Sequence, residues 1–172
     1  MVTHFRKAEE HYKLCAKNIK SVLKSRADAE IVEFWLQFLT SRAHYHLHRG
    51  TYEKSFKYFN KAYETSLQKK GEMSEQTVTL LQQLGSVCFQ KGDLEKAVIY
   101  LNKAIELGRH LPGFVQLSDA YVSLGNILLK QGLIQEAKWY CNQGLKNAIR
   151  HGYDEGITGS NSCLEEVQEA TS

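Results

Sequence analysis

A single proline in 172 residues leaves few obligatory helix breaks, and twelve glycines with four cysteines are too few for a collagen-like or disulfide-framework chain. Nothing approaches the run of about 20 apolar residues that a membrane-spanning helix needs; Ile127 to Leu129 is a typical apolar stretch. Cys15, Cys88, Cys141 and Cys163 are nowhere closer than 22 residues, which matches no zinc or redox spacing, so reduced thiols are expected. The start, Met1 to Glu10, lacks both the apolar core of a secretory signal and the Arg/Ser-rich, acid-poor bias of a transit peptide. No Gly-rich strand-to-helix turn, paired catalytic carboxylates or Ser/His/Asp order is present, so neither an enzyme nor a cofactor is expected.

What is present is the usage of a soluble helical protein, 42% hydrophobic and 24% charged, of a length for one domain or a short run of repeats. The net charge of +3 is too small to indicate nucleic acid. Its distribution is uneven: residues 1 to 26 carry seven Lys/Arg against two Glu, and residues 153 to 172 carry five Asp/Glu with no Lys or Arg.

A period emerges in the second half. Leu84, Gly85, Cys88, Phe89, Gly92, Ala97, Leu101 and Ala104 recur in register as Leu124, Gly125, Leu128, Leu129, Gly132, Ala137, Cys141 and Gly144. A weaker copy has Ala43, Gly50, Ser55, Phe59 and Ala62 in the same slots, and Ala8, Tyr12 and Cys15 open the chain as a half copy. The pattern predicts antiparallel helix pairs. Gly50, Gly92 and Gly132 stand where a first helix ends and the left-handed region is needed, and Asp93 follows as an N-cap. Small residues at Gly85/Gly125 and Ala97/Ala137 permit close approach, while Leu84, Leu101, Leu124 and Ile134 fill the seam.

This glycine, alanine and aromatic pattern resembles the tetratricopeptide repeat. Gly50 to Gly92 is 42 residues and Gly92 to Gly132 is 40, a long spacing like that of kinesin light chains. The expected fold is therefore all-α, a right-handed superhelix. It comprises a half repeat (5–25), repeats over 27–70, 74–110 and 114–151, and an acidic capping helix over 156–171 that buries Leu164 and Val167. Cys15, Cys88 and Cys141 fall in its buried slots, and Cys163 beside the last helix is expected to be exposed. Tyr58, Phe59, Tyr100, Trp139 and Tyr140 stand at core spacing, which argues against base stacking.

The working surface implied by the resemblance is the concave groove lined by the first helices. Its positions here are Gln37, Thr40, His44, Leu47 and His48, then Thr79, Gln82, Ser86, Phe89 and Gln90, then Asp119, Val122, Asn126, Leu129 and Lys130. Amides can pair with a peptide backbone irrespective of its sequence, and Phe89, Leu129 and Leu47 add apolar contact. Cochaperones of this superfamily that capture a C-terminal carboxylate use Lys, Asn and Arg on three helices; only Asn126 and Lys130 have that chemistry here, which disfavours tail capture. His44 and His48 lie one turn apart without the further ligands of a zinc site, His46 is expected to turn inward, and no metal is expected.

The order of features is further similar to the mitochondrial tetratricopeptide repeat protein 19 family. Ala8, Tyr12 and Cys15 come first, then Ala43-His44-Tyr45, Tyr58 to Ala62, Gly71-Glu72 with Gln76 to Leu80, and Glu95 to Leu107. That resemblance implies a non-enzymatic factor associated with the mitochondrial inner membrane. It would bind subunits of respiratory complex III and help clear fragments of the Rieske subunit. The alternative is a cytoplasmic peptide-binding adaptor of the kinesin light chain kind. The half repeat and the missing address are expected of a chain that begins inside a longer protein, and Leu14, Ile19, Val22 and Leu23 are left uncovered as a self-association surface.

Overall fold

A computed structural model describes residues 2–25 and 28–171, with nothing to be said of the side chains of residues 2–9, 20 and 23–25. The side chains of Ala8 and Leu23 therefore lie outside the described residues. Eight helices follow one another: α1 (Val2–Ser25), α2 (Ala29–His48), α3 (Tyr52–Lys70), α4 (Glu75–Lys91), α5 (Leu94–Gly108), α6 (Leu117–Lys130), α7 (Ile134–His151) and α8 (Asp154–Glu169). Among the described residues there is no strand, and no helix is long and apolar enough to cross a membrane.

The turns explain the boundaries. Gly92 ends α4 at φ 88°, a left-handed conformation that costs a glycine little, and its N–H closes onto the Cys88 and Phe89 carbonyls. Asp93 then caps α5 by accepting from the Lys96 N–H at 3.3 Å. The start of α4 is held more firmly. Ser74 Oγ accepts from the Thr77 N–H at 3.1 Å, while the buried Thr77 hydroxyl donates to the Gly71 carbonyl at 2.8 Å and meets Ser66 Oγ at 2.8 Å.

Consecutive helices pack as pairs, α2 on α3, α4 on α5 and α6 on α7, and each pair leans on the next. Two glycines set the closeness of the pairs. A Cβ on Gly85 would lie 2.7 Å from Leu101 Cγ, and one on Gly125 would lie 2.7 Å from Cys141 Sγ. One core joins Leu36, Leu39, Ala43, Phe59, Leu84 and Val87, and a second joins Val78, Leu101, Ala104, Tyr121, Leu124 and Ile127. The last, smaller cluster holds α8 through Cys163 and Val167, with Leu164 partly covered and Glu165, Glu166 and Glu169 on the exposed side.

Several expectations require correction. Cys15 is exposed, because α1 turns Tyr12, Ala16 and Ile19 toward its neighbour and Cys15 falls beside that stripe. Cys163 is buried, and it is joined to Cys141 by a disulfide with the Cα atoms 5.9 Å apart, so two of the four thiols are not free. Their separation in the chain is no guide, because α7 and α8 fold back on each other and bring residues 22 apart face to face. Trp139 is 47% exposed and not core: it stands two residues from both Ala137 and Cys141, hence on the opposite side of α7 from the buried stripe. Leu14 and Val22 are exposed, whereas Ile19 packs partly against the first core.

Candidate functional site

The first helices α2, α4 and α6 lie in sequence, and side chains cross between them. Gln76 Nε2 on α4 donates to Glu33 Oε1 on α2 at 3.3 Å, and Lys130 Nζ on α6 sits 4.2 Å from the centre of the Phe89 ring on α4. The second contact places a cation over an aromatic face, worth about 0.5–1 kcal/mol where exposed. It brings together two predicted groove residues from successive repeats.

Asn126, one turn before Lys130, carries a buried side-chain oxygen with no hydrogen-bond partner. Burying an amide oxygen without a partner costs about 1–3 kcal/mol.

The remaining predicted positions divide by depth. Gln37, His48, Gln90 and Lys130 are exposed, and Thr40, His44, Leu47, Thr79, Ser86 and Phe89 are half-buried. Gln82 is 8% exposed and so offers little to a partner. His44 sets its edge on Phe59 with ring centres 5.0 Å apart, and burial, with a smaller contribution from His48, holds its pKa below the ordinary imidazole value. Among the described residues no three His, Cys, Asp or Glu side chains gather as a metal ion would require.

The third repeat contributes less groove than its register implies, because α8 packs along α6 as well as α7. Val122 and Leu129 are drawn toward the cluster that contains Cys163 and Val167. Asp119 accepts from the Tyr153 hydroxyl at 3.1 Å. Burial raises the Asp119 carboxyl above its ordinary pKa, and burial together with that carboxylate pushes the Tyr153 phenol up to about 12.

His46 is turned inward, 4% exposed, as its position on the apolar stripe of α2 predicts. Beside it sits a residue outside the predicted groove and core positions. Arg42 is 3% exposed, donates from Nε to the Tyr58 hydroxyl at 2.9 Å, and has the rings of Tyr12 and Tyr58 at 4.7 and 5.2 Å. The signal was available: a charged residue occupies the stripe formed by Leu39, Ala43 and His46.

Comparison with known proteins agrees with this architecture. The tetratricopeptide repeat family matches at residues 36–109 and again at 118–148, together more than half of the chain. The Drosophila melanogaster tetratricopeptide repeat protein 19 homolog, a mitochondrial protein, is 23% identical over 120 residues, covering 70% of this chain but 32% of its own length. The chain thus spans about a third of that relative. Among solved structures, BtubC (BKLC) from P. vanneervenii superposes with a TM-score of 0.62 at 15% identity, over 96% of this chain and 75% of its own. The Rap conjugation gene regulator of plasmid pLS20, solved in complex with a Phr peptide, gives 0.63 at 17% identity, over 79% of this chain and 41% of its own. Both show the fold alone. The repeat register, the helix pairs and these matches make the chain a member of the tetratricopeptide repeat family, related to mitochondrial tetratricopeptide repeat protein 19.

Proposed function

We propose that the chain is a non-enzymatic scaffold that docks a protein segment in the groove of α2, α4 and α6 and serves respiratory complex III at the mitochondrial inner membrane. There it would help clear fragments of the Rieske subunit. The observation that carries segment binding is the set of Phe89, Asn126 and Lys130. It sets an aromatic ring and a cation on adjacent helices, beside an amide whose buried, unpaired oxygen would meet a segment's backbone on turning outward. The mitochondrial relative supports the location. The assignment to complex III rests on the resemblance to the protein 19 family and on no residue of the groove.

Native-gel separation of mitochondria expressing the tagged chain tests it. Co-migration with complex III is expected, diminished by Asn126→Ala together with Lys130→Ala. Migration only in unassembled fractions would sink the proposal. A cytoplasmic peptide adaptor is the second reading, favoured by the fold it shares with a regulator solved with a peptide bound. It predicts the tag in the cytosol and micromolar capture of short peptides by the same groove.

A further inference from the structure

On the side of α2 turned away from the groove, α1, α2 and α3 enclose a cleft of about 450 Å3. Trp35, Phe38, Leu39, Arg42 and His46 line its floor, and at 100° per residue they fall on the opposite face of α2 from Gln37, His44 and His48. Five of the lining residues are basic, Lys13, Arg42, Lys54, Lys57 and Lys61, and no described Asp or Glu lines it. Lys13, Lys54 and Lys57 are exposed and enter no ion pair among the described residues.

The walls are aromatic. Trp35 stacks on Phe38 with centroids 5.5 Å apart, and Tyr12 meets Phe38 edge-on at 5.8 Å. A largely aromatic floor that also holds the Arg42 guanidinium, beneath a rim of lysines, favours a ligand with the converse arrangement, an apolar anchor flanked by negative charge. The same chemistry recurs further along the stack. A cleft of about 330 Å3 between α5, α6 and α7 is lined by Arg109, Lys146 and Arg150, again with no described Asp or Glu. There Arg109 Nε donates to the Tyr121 hydroxyl at 2.8 Å, as Arg42 does to Tyr58.

We propose that the cleft between α1, α2 and α3 is a second docking site, independent of the groove, for an acidic protein segment that lays an aromatic side chain against Phe38 and Trp35, beside the Arg42 guanidinium that fills the space between Tyr12 and Tyr58. The carboxylates flanking that anchor pair with Lys13, Lys54 and Lys57 at the rim. The scaffold then holds two segments on opposite faces.

The sequence contains two tryptophans, Trp35 in the cleft and the exposed Trp139, so the full chain carrying Trp139→Phe reports on the cleft through Trp35 emission. The probe is a short synthetic peptide with a central Phe flanked by Asp and Glu, compared with the same peptide carrying Asn and Gln. The acidic peptide is expected to change Trp35 emission saturably. Lys54→Glu with Lys57→Glu should weaken Kd at least about tenfold, as should the amide peptide, and added salt should weaken it further. Lys54→Arg with Lys57→Arg should retain binding, and so should Asn126→Ala, which separates this site from the groove. Equal binding of the amide peptide, or an unchanged Kd in the double Glu variant, would overturn the proposal. So would charge-dependent sedimentation with phosphatidylserine vesicles in the absence of peptide binding, which would reassign the cleft to a membrane surface.

Discussion

Gly85 on α4 faces Leu101 on α5 so closely that a Cβ would come within 2.7 Å of the leucine Cγ and 3.3 Å of the Ala97 carbonyl. The leucine is wholly buried, so the clash falls on a branch point with no room to move. Helix pairing here is set by the absence of a methyl group.

Gly85→Ala should therefore destabilise the protein although alanine is the better helix former. The intrinsic gain is about 1 kcal/mol, whereas overpacking costs about 1–3 kcal/mol, leaving a net loss of up to about 2 kcal/mol. Gly159 is the internal control. It lies inside α8 with nothing within 4 Å of an added Cβ, so Gly159→Ala should stabilise by about 0.5–1 kcal/mol. Urea denaturation of the two variants measures both, and a stabilised Gly85→Ala would refute the packing account.

Thr77 ties the α3–α4 turn together with a single hydroxyl, shared among the Gly71 carbonyl, Ser66 and Ser74. Thr77→Val keeps the shape and removes the oxygen. It leaves a carbonyl and two serine hydroxyls short of a partner, at a cost of about 1–3 kcal/mol. In the same denaturation assay Ser74→Ala should cost about 0.5–2 kcal/mol through loss of the α4 N-cap, while Thr77 keeps its bonds to Gly71 and Ser66.

The cysteines should divide into three kinds. Under non-reducing conditions thiol titration of the native protein should find Cys15 reacting fast. Cys88 should react only on unfolding, since it is buried and burial pushes its thiol up. Cys141 and Cys163 should appear only after reduction. A crosslink closing a loop of this size contributes about 3 kcal/mol in the chain-entropy account, so reduction should lower the urea midpoint and loosen α8 first.

His44 makes stability depend on pH. Its folded pKa lies below the unfolded one, so the folded chain binds fewer protons as acid is added. Its contribution is present above the unfolded pKa and is lost as the pH falls through the lower, folded pKa. His48→Gln removes the smaller cause and leaves burial. In an NMR titration His44 should then move up yet remain below the ordinary imidazole value. A return to that value would show charge repulsion, not burial, to be the larger effect.

Gly92 and Asp93 were legible because a helix end is a local event: a residue at positive φ and an oxygen three residues before an N–H are decided within one turn of chain. The small residues at Gly85 and Gly125 were legible for another reason, since repetition exposes a packing constraint that a single copy would hide. Arg42 was legible only in part: a charge on the apolar stripe of α2 marks it, but what a buried guanidinium does is understood only once Tyr12 and Tyr58, 30 residues before and 16 after it, are seen around it.

Sequence alone therefore determined the helical repeat, its register, its caps and the close approach of paired helices, all of which depend on neighbours within about 40 residues or on the period itself. Tertiary structure decided the rest. It brought Cys141 to Cys163, left Cys15 and Trp139 in solvent, and drew Val122 and Leu129 under α8. It also gathered five basic residues from three helices over one aromatic floor. The physical reason is that a helix's periodicity fixes which residues share a face, while the neighbour that covers that face is chosen by packing.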